Sequence, residues 1–283
     1  MLQIVKSKKF FLIDASNTQI IRNFAQKKRQ MKQPILLYYD IHPDVVAFST
    51  TRQGGFSTGR YGQFNINRYC GDTDEAIRQN RALLCQLLDI RDDQLIMPHQ
   101  VHKTEIAVVD ENRDSNLEGV DALMTNVSGL CIGVSTADCI PVLLYDPIHH
   151  AVCAIHAGWR GTVQRIVVKA VCKMKEVYGS CPTDIVAQIG PGISLDSFEV
   201  GDEVYDAFTH AGFDMSSISE RRDKWHIDLP ECNRQQLVVA GILETHISVA
   251  AICTVKHAET FFSARRLGIE SGRIFTGIVC KQR

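Results

Sequence analysis

The sequence lacks the features that mark nucleic-acid-binding and membrane proteins. Its formal net charge at pH 7 is −1, with acidic and basic residues interspersed, so it presents no basic surface for nucleic acid or an anionic membrane. No apolar run approaches the roughly 20 residues that span a bilayer. We therefore expect the protein to bind small molecules and not nucleic acid or a membrane. We expect it to be a monomer or a small homo-oligomer.

Closely spaced cysteine pairs are absent too. The ten cysteines form no C-x-x-C motif and lack the dense spacing of a secreted disulfide scaffold. The N-terminal segment has lysines followed by a short apolar run, without the small-residue cleavage site of a signal peptide. These absences favour a cytoplasmic protein with free thiols.

No repeat, low-complexity tract or proline-rich linker divides residues 31–283, which we interpret as a single domain. The hydrophobic content of 45% is enough for a sizeable core. Residues 1–30 are polar and basic, and Met31 precedes a strand-like segment. We interpret residues 1–30 as an N-terminal extension, or as an upstream segment that is not native to a protein starting at Met31.

Segments rich in Val and Ile alternate with amphipathic segments. Strands are predicted at residues 44–50, 104–110, 130–136, 140–145, 151–155, 184–189 and 248–254. Helices are predicted from 72 to 88, from an N-cap at Thr162 to Gly179, from 201 to 211, and from about Pro230. Because strands occur both as a hairpin and separated by helices, the pattern predicts an α/β (α+β) fold with mixed sheets.

The segment TADCIPVLLYDPIHHAVCAIHAGWRG predicts a β-hairpin with its turn at Asp146-Pro147. If Tyr145 pairs with His150, Cys139 lies directly opposite His156. Opposite residues have Cβ atoms about 4.5 to 5.5 Å apart, which a metal ion or a thiolate-imidazole hydrogen bond can bridge.

Taken alone, Cys139 and His156 are each most often core residues. Their surroundings favour a site instead. His156 opens HAGWRG, where glycines and an arginine lead into a helix start that suits an anion, and Asp138 adjoins the cysteine as an orienter for an imidazole. The motif HQVH adds His99 and His102, so one Cys and two His form a candidate catalytic zinc set with a fourth position for water.

Seven longer motifs occur in the order typical of one family: TTRQGGFSTGRYGQFNIN, HQVH, DALMT, TADCIPVLLYDP, AIHAGWRGT, IGPGISLDSFEVG and FFSARRLGIESGR. On these motifs, from about Ile35 to the C-terminus, the chain resembles the laccase-domain, or multicopper polyphenol oxidase-like, proteins. The resemblance implies a layered fold of mixed β-sheets flanked by helices, similar to the catalytic domain of cytotoxic necrotizing factor. It also implies purine nucleoside phosphorylase and adenosine deaminase activity.

The resemblance assigns the metal to His102, Cys139 and His156, with zinc as the expected ion and copper as the alternative. Zinc lowers the pKa of a bound water toward about 7, which suits attack on C6 of adenosine to give inosine. No H-x-E motif supplies a proton shuttle, so Asp138 is the candidate beside Cys139 and His156.

Phosphorolysis of adenosine, inosine or methylthioadenosine would give the free base and a ribose 1-phosphate, or its methylthio analogue. It needs phosphate bound near the ribose anomeric carbon. The candidate substrate-binding residues are Arg52, Asn65, Arg160, Arg265 and Arg266.

Three alternatives stay open. The first is copper-dependent polyphenol oxidation. The sequence lacks the paired H-x-H motifs that bind a trinuclear copper cluster, although copper could bind a Cys/His site. The second is a metal-free enzyme, in which Cys139 is a nucleophile activated by His156, as in an amidase or peptidase acting on peptidoglycan precursors. A metal-binding protein without turnover is the third.

Overall fold

The structure is a computed structural model that describes residues 33–112 and 116–282. The predicted extension at residues 1–30 lies outside the described residues. The strands are β1 (Leu36–Tyr39), β2 (Val45–Thr50), β3 (Leu95–Ile96), β4 (Ile106–Val108), β5 (Ala122–Thr125), β6 (Cys131–Thr136), β7 (Ile140–Asp146), β8 (Ala151–Ala157), β9 (Val186–Ile189), β10 (Glu199–Val200), β11 (Ser219–Arg221), β12 (Trp225–Ile227), β13 (Ile247–Val249) and β14 (Ile274–Cys280). The α-helices are α1 (Asp74–Leu88), α2 (Trp159–Val163), α3 (Ile166–Tyr178), α4 (Asp202–His210), α5 (Met215–Ile218), α6 (Leu229–Val239) and α7 (Ala264–Leu267).

The strands of the described residues form three sheets. A six-stranded sheet has the order β13-β9-β7-β8-β5-β4, a five-stranded sheet the order β1-β2-β14-β6-β3, and a small sheet the order β10-β12-β11. Parallel pairs occur at β4–β5, β9–β13 and β3–β6, and the other pairs are antiparallel. The prediction of a mixed α/β fold is confirmed, whereas the likeness to cytotoxic necrotizing factor stays a prediction.

The two larger sheets pack face to face, with helices on their outer faces. Leu143, Tyr145 and Val152 of the six-stranded sheet share a core cluster with Ile132 and Ile278 of the five-stranded sheet. The outer face of the six-stranded sheet packs against α3 and α6, and α1 packs against the five-stranded sheet. Every residue of β7 and β8 is therefore buried, which explains why these strands are apolar on both faces.

The β7–β8 hairpin forms, but its predicted register is wrong by two residues. Tyr145 pairs with Val152, not with His150, and His156 pairs with Pro141. The buried Asp146 carboxylate accepts hydrogen bonds from the backbone N–H groups of Ile148 (2.8 Å) and His149 (3.2 Å), and these close a longer turn. Because side chains alternate with a period of two, the shift keeps every side chain on its expected face.

The predicted helix start at Thr162 is also wrong. Gly158 is the N-cap of α2, and α3 begins separately at Ile166 after Arg165, which has a left-handed φ of 63°. Gly179 ends α3 with a left-handed φ of 76°, as predicted. The helices expected near 72–88, 201–211 and 230 are confirmed as α1, α4 and α6.

All ten cysteines are free, in agreement with the expectation from their spacing. None of the helices in the described part of the chain is long and apolar enough to cross a bilayer. The cytoplasmic location and the oligomeric state stay predictions.

Candidate active site

Three side chains that the sequence predicts as metal ligands meet at one point. The candidate ligand atoms of His102, Cys139 and His156 all lie within 4.8 Å of one another. The two imidazole rings are 4.7 Å apart between centroids and meet edge to face at 77°. The other candidate histidine, His99, is not in this group, and its Nδ1 bonds to Glu118.

Separate segments carry the three side chains. His156 lies in β8, near its end, and Cys139 lies in the bend between β6 and β7, directly before Ile140. His102 lies in a turn between β3 and β4, where its φ of 61° places it in the left-handed region. That conformation is uncommon for a residue with a Cβ and needs support from its neighbours.

Asp121 supplies that support. It is fully buried and accepts backbone N–H bonds from Val101 (3.3 Å), His102 (3.0 Å) and Lys103 (2.7 Å). The same carboxylate bonds to Nδ1 of His156 at 2.7 Å, which leaves Nε2 as the free ring nitrogen. One side chain therefore fixes both the His102 turn and the orientation of His156.

Sequence reasoning missed Asp121 and gave its role to Asp138. The signal was present, because Asp121 opens DALMT and directly precedes β5, a strand that pairs with β8. Asp138 is bonded elsewhere: its carboxylate accepts from Thr254 Oγ1 (2.6 Å) and from the backbone N–H of Arg265 (2.7 Å). The prediction that Asp138 orients an imidazole is therefore wrong.

The electrostatics favour a charged cysteine. Burial raises the pKa of the Cys139 thiol, but the charge of His156 and hydrogen bonds from both histidines outweigh it and lower the pKa to about 6. Burial would also lower the pKa of His156, yet Cys139 and Asp121 raise it to about 9. The site thus stabilises a thiolate, which is the form of cysteine that binds metal ions.

Gly158 leaves the space between the three candidate ligands open. A Cβ at this position would lie 3.0 Å from Cδ2 of His102, 3.1 Å from Sγ of Cys139 and 3.7 Å from Nε2 of His156. One thiolate and two imidazoles around such a gap match the donor types of zinc and copper sites. The residues present therefore fit a metal ion.

A cavity of about 540 Å³ opens onto these residues. Trp159, Ile193, Phe198 and Leu229 give it an apolar wall. Tyr69 also lines the cavity and stacks on the His99 ring at a centroid distance of 4.1 Å. Polar and charged side chains lie elsewhere on the lining, among them those of Asn67, Gln100, Ser135, Thr136, Asp138, Arg265 and Arg273. Its size suits a small organic ligand.

Of the predicted substrate-binding residues, Arg265 lines this cavity. Arg52 instead donates to the carbonyl oxygens of Gly62 and Ala258, and Arg160 is exposed over the Trp159 ring. Asn65 is buried and donates to the Asp72 carboxylate. None of these three, nor Arg266, is among the described residues that line the cavity.

Arg273 does line the cavity, and sequence reasoning did not single it out. It is the last residue of the motif FFSARRLGIESGR, of which only the adjacent pair Arg265 and Arg266 was considered. Its position next to β14 brings it to the cavity through a strand pairing that the sequence pattern did not predict.

Comparisons with known proteins agree with the fold and the motifs. A purine nucleoside phosphorylase of Bacteroides thetaiotaomicron is 47% identical over 249 residues, covering 84% of this chain and 92% of the relative. Adenosine deaminase RL5, from an unknown prokaryotic organism, is 43% identical over 251 residues, covering 84% and 94%.

Solved structures are similar as well. The crystal structure of the hypothetical protein YfiH of Bacillus licheniformis has a TM-score of 0.84 and 30% identity, covering 88% of this chain and 97% of that one. YlmD from Geobacillus stearothermophilus has a TM-score of 0.81 and 30% identity, covering 86% and 94%. The family model described as multi-copper polyphenol oxidoreductase laccase matches residues 46–281, and the chain belongs to this family.

Proposed function

We propose that this protein is a zinc-dependent purine nucleoside phosphorylase that also deaminates adenosine. The observation that carries the proposal is the convergence of His102, Cys139 and His156 on a cavity of about 540 Å³ that also presents an arginine. The names of the two relatives, at 47% and 43% identity, support the same pair of activities.

His102, Cys139 and His156 would hold the metal. When bound there, a zinc ion would act as a Lewis acid and activate water for attack at neutral pH. The protein's own part is to keep Cys139 as a thiolate and to hold His156 in one orientation through Asp121. Copper fits the same donor types, so the native ion is itself part of the proposal.

For deamination, the cavity must hold adenosine with C6 toward the three ligands. Water adds to C6, the C6–N bond breaks, and ammonia leaves with a proton taken from the attacking water. Asp138 lines the cavity beside Cys139, and we propose that it moves this proton. The hydrogen bonds from Thr254 and from the Arg265 backbone hold its carboxylate in place.

For phosphorolysis, a phosphate oxygen attacks the anomeric carbon of inosine or adenosine while the glycosidic C–N bond breaks. The products are ribose 1-phosphate and the base, which takes up a proton. Arg265 is suited to bind phosphate because a guanidinium donates two parallel hydrogen bonds to it. The roles of Arg52, Asn65, Arg160 and Arg266 stay predictions, and these residues are not among those that line the cavity.

The test is product identification with zinc-loaded protein. Adenosine without phosphate should give inosine, and inosine with phosphate should give hypoxanthine and ribose 1-phosphate. Cys139→Ala should lose both activities, and Cys172→Ala, which changes an exposed cysteine, should keep them. Equal product formation by wild type and Cys139→Ala would contradict the proposal.

A cysteine hydrolase is the second candidate, because Cys139, with its pKa lowered to about 6, has the imidazole of His156 within 4.8 Å of its sulfur. Treatment with a chelator separates the two functions. Loss of activity on chelation, restored by zinc, supports the metal enzyme. Hydrolysis of an amide substrate that survives chelation but not iodoacetamide supports the nucleophile.

A further inference from the structure

Two arginines line the cavity, Arg265 and Arg273, and neither forms an ion pair with another described residue. Some arginines elsewhere in the described chain form ion pairs, such as Arg60 with Glu270 and Arg81 with Asp92. No ion pair found among residues 33–112 and 116–282 includes Arg265 or Arg273. Arg265 also lies close enough to the Glu199 carboxylate to lower its pKa, but Glu199 is not among the described residues that line the cavity.

Both guanidinium groups are nevertheless held in place by neutral acceptors. Arg273 donates to the carbonyl oxygens of Ile269 (2.6 Å), Gly272 (3.1 Å) and Ser271. Arg265 donates to the carbonyl oxygen of Glu199 at 3.3 and 3.2 Å. Carbonyl oxygens orient a guanidinium but leave its full positive charge, which is the arrangement that suits an incoming anion.

A buried hydroxyl group lies at the same end of the five-stranded sheet. Thr136 is the last residue of β6, it is 1% exposed, and it lines the cavity. Its Oγ1 has no hydrogen-bond partner among the described residues. Thr136 pairs with Ile274, the residue that directly follows Arg273, so the strand register places Thr136 and Arg273 at the same end of the sheet, where both line the cavity.

An unpartnered buried hydroxyl is uncommon in folded proteins and indicates that a ligand completes its hydrogen bonding. Asp138 is the one Asp or Glu among the described lining residues, and its oxygens already accept from Thr254 and the Arg265 backbone. The side chains around Arg265, Arg273 and Thr136 therefore offer positive charge and a free hydroxyl, which suit an anion with several acceptor oxygens better than the neutral purine base.

We propose that Arg273, Thr136 and Arg265 bind the phosphate co-substrate, with Arg273 as the main cationic contact. This proposal rests on the proposed function, and it assigns phosphate to the end of the sheet where β6 ends and β14 begins. Deamination uses no phosphate, so these three side chains should matter for one activity and not for the other.

The experiment measures phosphorolysis of inosine at varied phosphate concentrations, and phosphate-free deamination of adenosine, on zinc-loaded proteins. Arg273→Gln should raise the KM for phosphate by at least about tenfold while deamination stays within about twofold. Thr136→Val, which removes the hydroxyl but keeps the shape, should raise it by about fivefold, and Thr136→Ser should restore it.

Arg60→Gln is the matched control, because it removes an exposed guanidinium that pairs with Glu270 in the loop that Arg273 holds. It should leave both activities unchanged. A phosphate KM within about twofold of wild type in Arg273→Gln, or an equal fall of both activities, overturns the proposal.

Calorimetric titration with inorganic phosphate separates this proposal from the proposed function. If wild type catalyses neither reaction, the proposed function fails, and the titration still tests the anion site. Phosphate binding by wild type that Arg273→Gln loses supports the site. Absent binding in wild type, or equal binding by both proteins, contradicts it.

Discussion

At the residue scale, the site depends on Asp121, a side chain that is not among those lining the cavity. Asp121 serves four donors with two oxygens, namely Nδ1 of His156 and three backbone N–H groups around His102. Burial would raise the pKa of Asp121, but the hydrogen bond and charge of His156 outweigh it and lower the pKa. The charged carboxylate of Asp121 therefore holds two of the three candidate ligands, His102 and His156, in position relative to each other.

Asp121→Asn should weaken zinc binding by about 10-fold to 100-fold, because an amide has one acceptor oxygen and a second group that donates. Competition with a chromogenic chelator measures the change in affinity. Asp223→Asn, at an exposed position, is the control and should bind zinc like wild type. Unchanged zinc affinity in Asp121→Asn would show that the carboxylate is not needed to orient the ligands.

Gly158→Ala should fold but bind zinc at least about tenfold more weakly, since its Cβ would press against His102 and Cys139. Its φ of −68° is compatible with alanine, so the expected effect comes from contact and not from backbone strain. Gly201→Ala is a matched control: Gly201 is also an N-cap, with a φ of −79°, and its Cβ would meet the flexible side chain of Glu203. Wild-type zinc content in Gly158→Ala would contradict this account.

At the element scale, the β7–β8 hairpin explains why a wrong register still predicted the right neighbours. A two-residue slip preserves the face of each strand, and Cys139 lies close enough to the strand end to reach His156. The turn itself was not predictable from Asp146-Pro147 alone, because its length depends on which backbone groups Asp146 bonds. Asp121 was missed for a related reason: its contact with His156 depends on the pairing of β5 with β8.

Asp146→Asn should lower the free energy of unfolding at pH 7 by about 1–3 kcal/mol, because the buried carboxylate closes this turn. Burial opposes ionisation of Asp146, but hydrogen bonds from its neighbours, including His149, outweigh it and lower its pKa. The stabilisation is therefore present above the ordinary pKa of about 4 and is lost as the pH falls through the lower folded-state value. Denaturant unfolding from pH 7 downward measures it.

The difference between wild type and Asp146→Asn should shrink toward acid pH. Asp40→Asn, at an exposed position, should change stability by less than about 0.5 kcal/mol at any pH. A difference that is constant with pH would mean that the charge of Asp146 contributes nothing to folding.

At the scale of the whole molecule, the cavity joins parts of two packed sheets. Cys139 and His156 come from segments at the six-stranded sheet. Thr136 and Arg273 lie where β6 ends and β14 begins, two inner strands of the five-stranded sheet. Local periodicity predicted most of the strands that carry these residues but not β14, which lies between β2 and β6. Its pairings join residues more than 130 positions apart, so no local pattern encodes them.

Because His102, Cys139 and His156 come from three segments, metal binding should stabilise the entire fold. A zinc concentration about 1,000 times the Kd adds about 4 kcal/mol to the free energy of unfolding. For a domain of this size each kcal/mol shifts Tm by roughly 2–4 °C, so removal of zinc should lower Tm by about 8–16 °C. Calorimetry of chelated and zinc-loaded protein measures the shift, and Cys139→Ala should show little of it. Equal Tm values for the two wild-type forms would mean that the three side chains do not bind zinc as a unit.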